Sequence, residues 1–360
     1  LSVDSWGKKL SDLTADELNY SGAKLRNTAS NDDVNDFFRT GATFNNSISV
    51  SGGTETVRTY FSYANSYSDG MMRNNNYKRN TLSFRQSYSL FNKKLNVDLS
   101  LNYVQAKTKN RPGGGTVMNP LYDLYRMPRN VDLNYYKENY YIENGKWTSN
   151  EQSYFDSKNN KWTTGTVELT GPKQEWAYWQ NGMNNPYWMV NTRNSISEEE
   201  RAYGYISANY QIIDGLKIQG RLSLDRTKMK GTSERMATTW NISAMEDYGM
   251  YGQDLNWINE VYVDALLSYD KQIKDFSISA TTGWTGHTLK GETQKLWAKA
   301  TTANWKHDTM PTLINFFEPS VSQGNVSERS YTLSSNWDKG LLFTGQIGWQ
   351  EKVYLEGSYR

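Results

Sequence analysis

Histidine occurs only as His287 and His307, and cysteine not at all. Imidazole chemistry therefore has little to work with, while Cys-ligated zinc, iron–sulfur clusters and a disulfide framework are excluded. No GxSxG nucleophile elbow, HExxH helix or phosphate-binding Gly-Lys loop occurs. Paired carboxylates can act as general acid and base on a glycosidic bond without histidine, and Glu198-Glu199-Glu200 and Glu246-Asp247 are the runs that qualify. Such runs are more simply the solvated ends of strands or loops. Asp156-Ser157-Lys158-Asn159-Asn160 is faintly like a calcium loop, but Lys158 stands at a ligand position and the required glycine is missing. The expectation is a protein with no catalytic residue, no metal and no cofactor.

Residues suited to binding are abundant instead. Aromatic residues make up 14% of the sequence, with 26 Tyr and 13 Trp, enough to form membrane-interface belts or ligand-stacking surfaces. Within 106–198 lie Trp147, Trp162, Trp176, Trp179 and Trp188 among many tyrosines. Flat rings stack on sugar faces or line a peptide groove, with neighbouring Asn, Gln and Asp supplying hydrogen bonds. Trp176, Trp179, Tyr187 and Trp188, clustered where this segment ends, are the candidate substrate-binding residues. The competing reading is that the rings pack on one another, because a long segment stays ordered only by burying apolar area. Gly113-Gly114-Gly115 supplies a turn or a close backbone approach.

The elements that must position these residues are strands. From Leu216 to Asp225, Leu216, Ile218, Gly220, Leu222 and Leu224 fall on one face and Lys217, Gln219, Arg221, Ser223 and Asp225 on the other. The same alternation recurs from Ala42 to Val50, Val57 to Tyr67, Thr81 to Leu90, Leu95 to Tyr103, Ala202 to Ile212, Val261 to Tyr269, Phe276 to Trp284, Leu341 to Trp349 and Val353 to Tyr359. Short turns such as Gly52-Gly53, Asn92-Lys93-Lys94 and Asp214-Gly215 alternate with longer loops, the longest near 106–198, 227–256 and 287–336. This parity predicts an all-β fold, a partial transmembrane antiparallel β-barrel of about ten strands. In that architecture the short turns face the periplasm and the long loops are extracellular. The apolar face meets lipid, and Arg85, Asp98, Arg221 and Asp225 face the lumen. Tyr88, Phe91, Tyr210, Tyr269, Phe276, Trp349 and Tyr354 collect at the short-turn end as an interfacial girdle.

Charge and hydropathy fit this reading. With 40 basic and 38 acidic residues the formal net charge is +2, and no basic run points to nucleic acid. The mean hydropathy of −0.80 and the lack of an apolar run of about 18 residues exclude transmembrane helices but not a barrel, in which only alternate residues are apolar.

Ser5-Trp6-Gly7, Asn35-Asp36-Phe37-Phe38-Arg39-Thr40-Gly41, Ser51-Gly52-Gly53 before Tyr60-Phe61-Ser62-Tyr63, and Asp69-Gly70 before Tyr77-Lys78-Arg79-Asn80 occur in order along the chain. Asn185-Pro186-Tyr187-Trp188 and the closing Val353 to Arg360 follow. With these motifs the sequence resembles the SusC/RagA class of TonB-dependent outer-membrane transporters of Bacteroidetes. The resemblance implies a large plugged barrel, an N-terminal plug domain, a box that engages the TonB complex, and a SusD-like surface lipoprotein. The matching motifs belong to the barrel, so residues 1–37 are expected to lead into it and 38–360 to form part of its wall, with the plug outside this segment and further strands beyond Arg360. The implied function is TonB-dependent import of a bulky nutrient, an oligosaccharide or peptide, across the outer membrane. Two rivals remain. One is a secreted or surface-exposed all-β glycan-binding module or adhesin, which would bury its apolar faces against one another; the other is a carboxylate-dependent glycoside hydrolase.

Overall fold

The structure, a computed structural model, describes residues 8–299 and 326–360 apart from 19–24, 27, 30–31, 114, 116–117, 157, 159, 177–181, 242–243 and 247–248. The N-terminal segment carries two short helices, α1 (Ala15–Leu18) and α2 (Asp32–Phe37). Alternating segments then pair as hairpins, β1 (Ala42–Gly53) with β2 (Val57–Asp69) and β3 (Asn76–Leu90) with β4 (Leu95–Lys109). The long connection that follows has structure of its own: α3 (Pro120–Arg126), α4 (Leu133–Glu138), a hairpin of β5 (Tyr141–Asp156) and β6 (Lys161–Gln174), and α5 (Pro186–Thr192). Next come β7 (Asn194–Ile213), β8 (Leu216–Arg235), the small pair β9 (Thr239–Asn241) and β10 (Ala244–Glu246), then β11 (Met250–Ile273), β12 (Phe276–Lys299), β13 (Val326–Trp349) and β14 (Val353–Tyr359).

Ten of these strands form one antiparallel sheet in the order β1-β2-β3-β4-β7-β8-β11-β12-β13-β14, which is chain order with the two accessory hairpins left out. The strand number agrees with the alternation, and so does the position of the short turns. At the β7–β8 turn Gly215 has φ of +84°, a conformation that glycine adopts without the steric cost a side chain brings. The sheet is not closed: β1 and β14 are its two edges. No helix among the described residues is long and apolar enough to cross a membrane, which leaves crossing by strands untouched.

Register segregates the two faces. Leu101 pairs with Gly204, Gly204 with Leu224, and Leu224 with Val261, so one face carries apolar side chains from strand to strand. These side chains are open, with Leu101 51% and Leu224 53% exposed. The polar face is the shielded one: Asp264, Ser100, Ser207 and Thr285 are buried. A water-soluble sheet has the opposite arrangement, whereas the inside of a curved barrel wall crowds its polar residues and turns apolar ones outward. One girdle residue departs from expectation. Tyr354 pairs with Gly348 and shares the polar-face parity, because the apolar side of β14 is set by Val353 opposite Trp349 and Leu355 opposite Ile347.

The strands run past the alternating segments. The connections are 110–193 rather than 106–198 and 236–249 rather than 227–256, and β12 extends to Lys299, so that only 300–325, outside the described residues, separates it from β13. A strand of 24 residues such as β11 is roughly 80 Å long, about twice what a tilted strand needs to cross a bilayer core. Where both faces are wet the two-residue period carries no burial signal, yet the backbone ladder continues. That is why the ends were illegible in the pattern.

The hydrophobic core does not lie in the sheet. It sits at the long-loop end, where Leu124, Met127, Val131, Leu133, Tyr136, Trp176, Met183, Tyr187 and Val190 of the β4–β7 connection bury themselves with Phe37 of α2 and Met72 of the β2–β3 loop. Trp188 and Met189 form a second cluster with Met236 from the β8–β11 connection.

Candidate functional site

Two regions carry the polar and aromatic chemistry: this loop core and the polar face of the sheet. Asn119 and Asn185 start helices in the core, each followed by proline at the first helical position, where the missing N–H costs nothing. The Asn185 side-chain oxygen accepts from the Tyr187 N–H at 2.9 Å, and its amide donates to the carbonyls of Tyr136 at 3.1 Å and Glu175 at 3.0 Å. Its own backbone N–H donates to Gln174 Oε1 at 2.9 Å. One buried asparagine thereby caps α5, satisfies an end carbonyl of α4, and holds the end of β6. Beside it the Asn184 amide pairs with the backbone of Trp240, accepting from its N–H at 2.8 Å and donating to its carbonyl at 3.1 Å. The Gln174 amide donates to the Thr238 carbonyl, and the Trp188 indole N–H donates to Thr239 Oγ1 at 2.9 Å.

The aromatic rings fill the space between these bonds. Phe37 meets Tyr187 edge-on at 5.1 Å, Tyr136 meets Trp176 edge-on at 4.8 Å, and Tyr141 stacks on Trp188 at 5.9 Å. Asp123 of α3 is buried against this network and accepts from the Asn184 N–H at 3.1 Å. Burial pushes its carboxyl up to about 7, against the opposing pull of the Asn184 donor and nearby Arg126.

Of the four residues expected to touch ligand, Trp176, Tyr187 and Trp188 are 3%, 1% and 0% exposed, and Trp179 lies outside the described residues. The three that can be placed come together, but as the internal packing of the loop; they present no surface to a ligand in this arrangement. Trp147 is buried too, whereas Tyr125 is open to solvent.

The four residues expected to face a lumen do share the polar face, and all have partners there. Arg221 Nε donates to Asp264 Oδ2 at 2.7 Å, with its guanidinium over the Tyr262 ring at 5.2 Å. Asp225 accepts from Arg201 Nε at 3.0 and 3.1 Å through its two oxygens, and Asp98 accepts from Ser87 Oγ at 2.6 Å. Arg85 lies over the Tyr60 ring at 6.0 Å. A shallow cavity of about 430 Å³ opens between Arg85, Asp225, Tyr203, Tyr205, Glu260 and Tyr262. Further along the same face His287 Nε2 contacts Glu260 at 2.7 Å and its Nδ1 lies 3.7 Å from Asp338. Arg201, Asp264, Tyr203 and Tyr262 were not anticipated, although the parity that placed Arg221 and Asp225 also places them. Among the described residues no group of three metal-ligating side chains converges.

Paired charges and tyrosines thus line the polar face of the sheet. Solved structures with the same fold have been described as transporters. The chain superimposes on the RagAB peptide transporter with a TM-score of 0.64 at 16% identity, over 97% of this chain and 35% of that one. For the RagAB peptide importer in its open-open state the TM-score is 0.65 at 17% identity, over 99% of this chain and 37% of that one. In the closed-closed state it is 0.61 at 17%, over 92% and 33%. The chain thus has the fold of part of the RagAB barrel and spans about a third of the length of the structures it matches. No protein-family profile matches the sequence, and no curated protein matches it.

Proposed function

We propose that this chain is part of the wall of an outer-membrane β-barrel that imports a bulky nutrient, peptide or oligosaccharide, with energy delivered through TonB and a SusD-like surface lipoprotein as partner. The observation that carries the reading is the inverted sheet, whose apolar face is open from strand to strand while its polar face is shielded and charge-paired. An open apolar face of that extent is an aggregation hazard in water and the required surface in lipid. The shared fold of the RagAB importers supports the same reading and puts peptide first among the cargoes. Loop-core aromatics hold the extracellular platform rigid, and the polar face lines the route, its cations and carboxylates paired so that cargo meets a polar wall with little net charge.

The test is a strain lacking the gene, supplied with labelled oligopeptides or oligosaccharides as sole nutrient. Uptake of one class should fall and return on complementation, and the protein should partition with outer membranes and need detergent for extraction. A protein that stays in solution without detergent would refute the barrel and favour the adhesin or glycan-binding module.

A further inference from the structure

On the apolar face of β3, β4, β7 and β8 two cavities adjoin. The lower one, about 610 Å³, is an apolar groove walled by Leu82, Phe84, Leu101, Ile206, Leu222 and Leu224. Its floor is Gly204, where a Cβ would fall 2.0 Å from the Ser100 carbonyl oxygen, so backbone spacing keeps the floor free of any side chain. The upper cavity, about 360 Å³, lies among Lys78, Lys107, Lys228 and Lys230. Arg226 lines the top of the groove and joins the two. Register makes them continuous: Gly204 pairs with Leu224, Ala202 with Arg226, Glu200 with Lys228 and Glu198 with Lys230.

From these observations we infer a binding site for an acylated phosphoglycolipid of the outer leaflet, its acyl chain in the groove and its phosphate among the lysines. The inference rests on the membrane-barrel reading above. Five cations stand in the two cavities against three carboxylates, and Glu198 is occupied by Lys107 at 2.7 Å. Lysine ammonium groups converging from β3, β4 and β8 suit a multiply charged phosphate. Height agrees with charge. Lys228 is twelve positions along β8 from Leu216 at the short turn, which is roughly 40 Å of strand, and at a tilt of about 45° that is close to the ~30 Å of a hydrocarbon core. Lys107 is likewise twelve positions from Leu95, and Lys78 twelve from Leu90. The cations therefore stand at the outer headgroup level, with the groove directly beneath them in the acyl layer.

The experiment uses the full-length protein in neutral detergent, native mass spectrometry and two probes, diphosphoryl lipid A and the same lipid with its phosphates removed. The wild type should retain the diphosphoryl form selectively. Lys228→Gln with Lys230→Gln should weaken its retention about thirtyfold, following the usual worth of a lysine beside an anionic head. Ala202→Trp, which fills the groove, should weaken both probes, and Lys93→Gln with Lys352→Gln at the short-turn end should change neither. Heat-modifiable gel mobility verifies that each variant is folded. Equal retention of the two lipids, or no loss in the Lys228/Lys230 variant, overturns the site and leaves the barrel standing. A protein that needs no detergent overturns the barrel itself.

Discussion

Replacing Asn185 by alanine removes three hydrogen bonds at once, and their energies can be summed from what each leaves behind. The cap on α5, where Oδ1 accepts from the Tyr187 N–H, is worth about 1 kcal/mol. The carbonyls of Tyr136 and Glu175 lose their donor in a buried setting, at about 1–2 kcal/mol each. The expected cost is therefore about 3–5 kcal/mol, a rise in the local opening constant on the order of a hundred- to several-thousandfold. Asn185→Ser keeps a cap acceptor and loses the two donors, so it should fall about 1 kcal/mol short of the alanine variant. Hydrogen exchange read by mass spectrometry on the protein in detergent distinguishes the regions. Peptides covering α4, α5 and the end of β6 should lose protection, while those covering β7 and β8 keep theirs. Loss of less than about 1 kcal/mol in the loop peptides would refute the view that this network holds the core, and equal loss in the sheet would show that loop core and sheet open as one unit.

The raised carboxyl of Asp123 gives a pH dependence of definite sign. The folded loop binds the proton more tightly than the unfolded one, so the stability it contributes is complete at low pH and is lost as pH rises from the ordinary value of 3.8 through about 7. Loop protection, corrected for the intrinsic exchange rate, should therefore be greater at pH 5 than at pH 8, and Asp123→Asn should flatten the difference; a loop more protected at pH 8 contradicts the assignment. On the polar face, Arg221→Met leaves the Asp264 carboxylate, 1% exposed, with the Gln219 amide at 3.3 Å as its side-chain donor among the described residues. It should lower urea stability by about 3–5 kcal/mol, while the double variant Arg221→Met, Asp264→Leu should recover most of that.

What the sequence made legible is what the physics of two wet and dry faces writes into it. Leu216 to Asp225 states its own strand, its faces and the turn at Asp214-Gly215, and nine other segments do the same. Arg221 and Asp225 followed from parity, and Arg201 and Asp264 were equally readable by it. The loop core was less so. Trp176, Tyr187 and Trp188 looked like stacking surfaces because composition cannot tell a ring that meets ligand from one that meets another ring. The local signal that was available is the pair Asn119-Pro120 and Asn185-Pro186, an N-cap followed by a first-position proline, which marks the starts of α3 and α5. Nothing local announces that Phe37, Met72 and Met236, from three distant segments, complete the core. Tyr354 misled for another reason: one residue of parity past a turn decides the face, and an aromatic near the rim looks like girdle on either side.

The bonds that tie the β4–β7 connection to the β2–β3 loop and the β8–β11 connection have a consequence for the order of assembly. Asn74 Nδ2 donates to the Val190 carbonyl across 116 positions of sequence, the Gln174 N–H donates to Thr238 Oγ1 across 64, and Asn184 reaches Trp240 across 56. Each contact closes a long loop and returns nothing until the neighbouring strands are side by side. The loop core is therefore expected to set last, after β2 through β11 have found their register, as a latch on finished work. Protease resistance of α3, α4 and α5 should then act as a clock for folding: a chain whose strands have slipped by even one pair should be cut there, and a correctly zipped one should not.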